Sequence, residues 1–127
     1  MDFMTAIKTF YARYTDFSGR SRRSEFWWFF LYFMVASVLI VFVAGLLGET
    51  VGSIVYGLWL LAHLVGLIAL YVRRFHDQDK SGWFFLLGFI PIVGGIILLV
   101  FMVLPGTDGP NRFGPDPKAG LVADTFT

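Results

Sequence analysis

Residues 71–85 read "YVRRFHDQDKSGWFF", a polar island of two arginines, a histidine, two aspartates and a lysine. It lies between two long apolar runs, Val51–Val72 and Trp83–Leu104. A third run of the same kind, Phe26–Leu47, precedes them. Each run is about 22 residues, or about 33 Å as helix, which matches the hydrocarbon thickness of a bilayer. None contains Asp, Glu, Lys or Arg. Backbone groups in lipid must be paired within the segment, so the runs are expected to be helices. The island then marks the place where the chain leaves the membrane and re-enters it.

Composition agrees. The 127 residues are 57% hydrophobic, 19% aromatic and 15% charged, more apolar surface than a water-soluble domain of this length can bury. The net charge of +1 argues against a nucleic-acid partner. The absence of cysteine excludes disulfides, thiolate metal sites and iron–sulfur clusters. The first run starts too late and runs too long for a cleaved signal peptide.

The expected fold is therefore an all-α membrane protein. Three transmembrane helices, at about 26–47, 51–72 and 83–104, follow a short amphipathic helix at about 2–14. Residues 1–120 would form one membrane domain and 121–127 a flexible tail. In the first helix Phe3, Ile7, Phe10 and Tyr14 share a face, and Asp2 is the expected cap. Two placements fit it: in the membrane interface, or docked on the protein's own loops. Ser21 or Ser24 is expected to cap the first span, and Ser81 the third. Only "GET" at 48–50 joins spans one and two, which forces an antiparallel hairpin. Gly48 and Gly52 would let the helices approach closely there. "FIPIVGG" at 89–95 predicts a kink in the third span, since Pro91 has no N–H for Leu87.

Lys and Arg set the orientation. With three crossings, the N-terminal segment and the island share eight of them, against two for the other side, Arg112 and Lys118. The positive-inside rule then puts the N-terminus and island in the cytoplasm and the tail outside. A re-entrant third segment, broken at Pro91–Gly95, would instead return the tail to the cytoplasm.

Three separated motifs carry a resemblance. "GRSRRSEFWWF" at 19–29, "RRFHDQDKSGWFFLL" at 73–87 and "NRFGPDP" at 111–117 occur in that order. The chain resembles, from about Phe10 to Lys118, the bacterial inner-membrane family called domain of unknown function 805. The resemblance implies a small multi-pass protein of the bacterial inner membrane and implies no activity. Two positions depart from the family pattern: Gly66 stands where a proline is common, so that any kink there comes from glycine, and Phe75 replaces the leucine of "RRLHD".

The candidate site is the polar cluster of Arg20, Arg22, Arg23, Glu25, Arg73, Arg74, His76, Asp77, Ser81 and Trp83. Positive-inside anchoring explains its basic residues but not its carboxylates. A network explains both, with Arg22 or Arg74 on Glu25 and Arg73 on Asp77. In a further reading, arginines left over bind anionic lipid headgroups or a partner's acidic loop. Asn111, Arg112, Phe113 and Asp116 form a proline-stiffened tail motif, read either as a cap on the third span or as a docking element.

His76-Asp77 is too small a set for a metal. His63 lies about 20 Å away along the helix, so the two histidines share neither metal nor haem. A hydrogen bond to Ser37 or to a backbone carbonyl would satisfy His63, while a haem shared with a partner chain is the alternative. No nucleophile–base pair or nucleotide-binding signature is visible. The sequence predicts a non-enzymatic accessory, assembly, lipid-binding or partner-binding subunit, without cofactor or metal. Membrane lipids and a protein partner or second copy are its expected contacts. An oligomeric transporter or channel component is the alternative.

Overall fold

A computed structural model describes residues 2–117. Four α-helices and one 3₁₀ segment make up the fold: α1 Phe3–Ala12, α2 Arg23–Gly45, α3 Glu49–Asp77, the 3₁₀ segment Gly82–Phe89, and α4 Val93–Val103. The region 121–127, read as a flexible tail, lies outside the described residues.

α2 and α3 are long and apolar enough to cross a membrane. They form the expected hairpin. Gly48 turns the corner in the left-handed region, at φ 108°, where a Cβ is strained. The close approach falls one turn from the expected Gly48–Gly52 pair. It is Gly52 that faces Gly45, and a Cβ on Gly52 would sit 3.2 Å from the Gly45 Cα. α3 runs five residues past Val72, so Arg73–Asp77 are helical rather than loop.

α1 is capped by the Asp2 carboxylate, which accepts from the Thr5 amide at 2.8 Å. It docks on the hairpin. Ala6 and Phe10 are fully buried, and Phe10 stacks on Phe29 with ring centroids 3.6 Å apart. Gly66 is where the rings of α1 sit: a Cβ there would lie 2.5 Å from Tyr14 Cδ2 and 2.6 Å from Phe10 Cζ. The expected use of Gly66, freedom to kink, gives way to a packing use. Gly66→Leu is expected to displace α1 and lower stability by about 1–3 kcal/mol, checked by thermal unfolding in detergent.

The third run departs most from expectation. The expected kinked span over 83–104 is replaced by two short pieces packed against each other, with the break where Pro91–Gly95 was expected to place it. Ser81 caps the first, accepting from the Trp83 amide at 3.3 Å. The chain reverses at Ile90–Ile92, where Ile92 takes φ 67°, uncommon for a β-branched residue. Pro91 cannot donate to Leu87, and the Leu87 carbonyl accepts from Ile90 instead, at 3.2 Å. Gly94 carries the returning chain so close to Leu87 and Gly88 that a Cβ would collide with their backbone. At about 2.0 Å per residue in the 3₁₀ piece and about 1.5 Å in α4, each arm is about 16 Å long. That is about half the hydrocarbon thickness.

Both ends of this hairpin therefore meet the island. Gln78 donates to the Phe101 carbonyl, and the Thr107 amide donates to the Asp77 carbonyl at 2.6 Å. The expectation that the tail lies on the face opposite the island fails for residues 105–117, which pack on it.

Burial is inverted relative to a soluble protein. Phe10, Phe26, Phe29, Leu70, Phe75 and Met102 form a compact aromatic core near the island. The other half of the α2–α3 hairpin turns its apolar side chains outward, with Val38 at 65% exposure and Phe42 at 68%. Charged residues at the island end are buried instead. An apolar solvent makes that distribution favourable.

Candidate functional site

The polar cluster is assembled from three elements. The α1–α2 connection supplies Arg20, Ser21 and Arg22; the first turn of α2 supplies Glu25; the C-terminal end of α3 supplies Arg73, Arg74, His76 and Asp77. All are buried, Arg73 and Arg74 completely. Burying an ion is expensive unless charge and hydrogen bonds are both answered; here the chain itself supplies the opposite charges and most of the hydrogen bonds, while Arg74 Nε is buried without one.

Asp77 is the hub. It receives Arg20 at 2.9 Å and Arg74 at 2.8 Å. Glu25 receives Arg73 at 3.2 Å. The expected partners are thus exchanged. Arg74 and Asp77 are three apart on one helix face, while Arg73 points about 100° further round, toward Glu25. Ser21 links the two halves. Its hydroxyl accepts from Arg73 Nε at 2.7 Å and donates to Glu25 Oε2 at 2.7 Å. Its amide donates to the Arg73 carbonyl at 3.1 Å. Ser21 does not cap α2 as expected; Arg22 holds the N-cap position, and no side chain caps that end. Burial lowers the affinity of the Arg22 guanidinium for its proton, and the charges of Glu25, Asp116 and Asp77 oppose that.

Basic residues outnumber acids in the cluster, and backbone carbonyls take up the difference. The last carbonyls of a helix have no intrahelical partner and carry its negative pole. Arg74 donates to Met102 O at 3.3 Å and Leu104 O at 2.8 Å. Trp27 Nε1 also reaches Met102 O, at 3.1 Å. Arg23 reaches Val103 O at 3.0 Å. Arg20 reaches Thr107 O at 2.6 Å and Gly109 O at 2.7 Å. The arginines therefore fasten the C-terminal end of α4 to the start of α2 and the end of α3. Gly106 makes the approach feasible, since a Cβ there would overlap the Asp77 carboxylate.

The tail motif folds over the cluster. His76 donates through Nδ1 to the Gly19 carbonyl at 2.9 Å, the only direction a carbonyl permits. Its ring stacks on Phe113 at 3.9 Å. Asn111 donates to the His76 carbonyl at 2.9 Å. Arg112 pairs with Asp79 at 3.2 Å, largely exposed, and Asp116 accepts from the Gly109 amide at 2.9 Å. Ser81 and Trp83 lie apart from the cluster: Ser81 is a helix cap and Trp83 is 73% exposed.

Outside it, Asp16 accepts from Ser18 and Arg13, bonds that hold its carboxyl down at about 2. Sequence reasoning missed Ser21 as a linker, Gln78 as a donor to α4, and Gly106. The "LPG" at 104–106 was a signal for a close approach but did not name its partner.

His63 is satisfied as expected by a backbone carbonyl: Nδ1 donates to Trp59 O at 2.9 Å. Ser37 instead accepts from Trp59 Nε1 at 2.9 Å. The other His63 nitrogen meets Tyr11 of α1 at 2.7 Å, a contact across 52 residues that no local pattern announces. Among the described residues, no group of three His, Cys, Asp or Glu could hold a metal ion.

Apolar helices turned outward and a buried charge cluster closing one end define a small helical integral membrane protein. The chain belongs to the family described as "Protein of unknown function (DUF805)", whose model matches residues 14–115. It is 43% identical over 107 residues to inner membrane protein YhaI of Escherichia coli (strain K12), covering 84% of this chain and 90% of that protein. It is 41% identical over 112 residues to inner membrane protein YhaH of the same strain, covering 83% and 89%. No solved structure matches.

Proposed function

We propose that this chain is a non-catalytic accessory subunit of the inner membrane. In this reading α2 and α3 cross the bilayer, and the segment 82–103 enters from the cytoplasmic face and returns to it. The N-terminal segment, the island and residues 105–117 then share the cytoplasm, which also gathers every Lys and Arg of the described residues on one side. Half-span arms on the re-entrant segment agree with this reading.

The observation that carries the functional reading is the inward direction of the arginines. Arg20, Arg73 and Arg74 direct their donors to the chain's own carboxylates and carbonyls. The cluster then acts as a clasp that shapes the cytoplasmic face, and contacts with a partner fall to the outward apolar flanks of α2 and α3. Extraction in a gentle detergent followed by native mass measurement tests this. A stable complex with a different chain supports the reading; a monomer carrying only lipid contradicts it. The half-span hairpin also suits a second reading, an oligomeric transport component, since broken helices at membrane depth line pathways in transporters. A ring of identical chains with solute flux in liposomes would favour that one.

Orientation is open to a direct check. Single cysteines at Ser18 and Asp108 are expected to be shielded from an impermeant thiol reagent in intact cells, and one at Thr50 labelled. Labelling at Asp108 would mean that the third segment crosses the membrane.

A further inference from the structure

Burial divides the molecule across its length. In α2 the buried residues are Ser24, Glu25, Phe26 and Phe29, and then none until Ala44, at the corner where Gly52 of α3 closes in. In α3 no residue before His63 is buried, and burial then continues to Asp77. The end of the α2–α3 pair beside the island is covered, and the other end is not.

Two additions supply the cover, and both stop at about the same level. α1 lies against the island half: Phe3 meets Trp28 edge-on at 5.7 Å, Phe10 stacks on Phe29, and the Tyr11 hydroxyl reaches Tyr32 and His63. The half-length hairpin begins beside Val72, where a Cβ on Gly82 would lie 2.6 Å from Val72 Cγ1. Phe84 and Phe101 then flank Phe75, at 5.8 and 5.6 Å between ring centroids. An arm of about 16 Å starting at Val72 reaches no further along α3 than about Leu61. Past that level α2 and α3 stand as a bare pair, with Leu61 at 67% exposure and Leu46 at 74%.

The chain is therefore a wedge. Five segments fill the half beside the island and two fill the other. Each is about 10 Å across, so the island half has roughly twice the cross-section of its opposite. Both halves present apolar side chains, Leu31, Phe84 and Val100 on the wide one and Val38, Phe42 and Ile54 on the narrow one, so lipid tails pack against both. In a flat bilayer the two leaflets have equal area, and the wedge crowds one while leaving slack in the other. Curvature that makes the island-side leaflet convex relieves both. A difference in fit between flat and curved membrane is a difference in free energy, and it shifts the population accordingly.

We infer that the partner matched by this shape is curved membrane: the chain gathers where the leaflet that holds the island is convex. With the island in the cytoplasm, that is membrane bulging into the cell. The inference rests on the re-entrant reading of segment 82–103 but not on the accessory role. It concerns the chain on its own, because a helix seated on the open flanks of the narrow half would even the two halves.

The test uses full-length Ser18→Cys protein, labelled there with a fluorophore and reconstituted in both orientations into giant vesicles of phosphatidylcholine. The neutral headgroups exclude sorting by charge. A thin tube is drawn from each vesicle, so that its outer leaflet is convex. Fluorescence density in the tube is compared with that in the vesicle body, before and after an impermeant quencher removes the outward-facing labels. Molecules with the island outside are expected to be enriched in the tube by about twofold, increasing as the tube narrows, and those with the island inside to be depleted. Equal density in tube and body for both orientations overturns the inference. Enrichment of both orientations alike overturns it too, since a wedge must sort with opposite signs. Failure of the re-entrant reading shows itself separately, as labelling of Asp108→Cys in intact cells while Ser18→Cys is shielded, and the wedge falls with it.

Discussion

Asp77→Ala is expected to destabilise the detergent-purified protein by about 3–5 kcal/mol, the cost of removing one partner from a buried ion pair. Two guanidinium groups, Arg20 and Arg74, lose their carboxylate together. Both are nearly dry, so water cannot take its place cheaply. Thermal unfolding followed by near-ultraviolet circular dichroism reads the effect. Lys80→Ala should change little, since the ammonium meets the side chain of Gln78 at 3.5 Å, the outer limit of a hydrogen bond, at the edge of the loop. If Asp77→Ala unfolds as wild type does but loses a co-purifying partner or bound lipid, the island is a binding surface and the clasp is not structural.

Gly106→Ala is the second large effect, about 2–3 kcal/mol. Its methyl would occupy the space of the Asp77 carboxylate, and a packed ion-pair network has little room to yield. Context separates this from a general backbone effect. In an Asp77→Ala background the obstruction is gone, and Gly106→Ala should then cost well under 1 kcal/mol. Equal costs in both backgrounds would show that Gly106 matters for some reason other than the clasp.

These two residues also show how far the sequence could be read. The first two helices were legible because lipid imposes length and composition together. The expected 26–47 and 51–72 became Arg23–Gly45 and Glu49–Asp77. The two halves of the clasp were legible too, because carboxylates beside arginines need a reason that positive-inside anchoring does not supply. The pairing was not. A choice between Arg73 and Arg74 for Asp77 depends on about 100° of helix rotation, and Glu25 meets α3 only once the hairpin is closed.

The third run misled for a physical reason. By length and composition alone, twenty-two apolar residues read equally as one span or as two half-length arms. Pro91, Gly94 and Gly95 signalled a break but not whether the chain bends or turns back. The deciding feature was the C-terminal end of α4 together with the chain that follows it. Its carbonyls at Met102 and Leu104 are bound by Arg74, and Arg112 reaches Asp79 of the island. Arg112, counted by the positive-inside rule as lying across the membrane, proved to lie beside the very loop it was set against. The Tyr11–His63 contact was legible in neither length nor charge, since a lone histidine in an apolar run does not say which helix will reach it.

The central claim is that the arginines serve the fold from within, and a double-mutant cycle on Arg73 and Glu25 tests it most directly. Their side chains meet at 3.2 Å with almost no exposure. Arg73→Ala and Glu25→Ala each leave one buried charge without its counter-ion, and the double variant leaves neither. The account predicts that the double variant is less destabilised than the sum of the singles by about 1–3 kcal/mol. Strictly additive losses would mean that the two charges act independently, and would contradict the clasp.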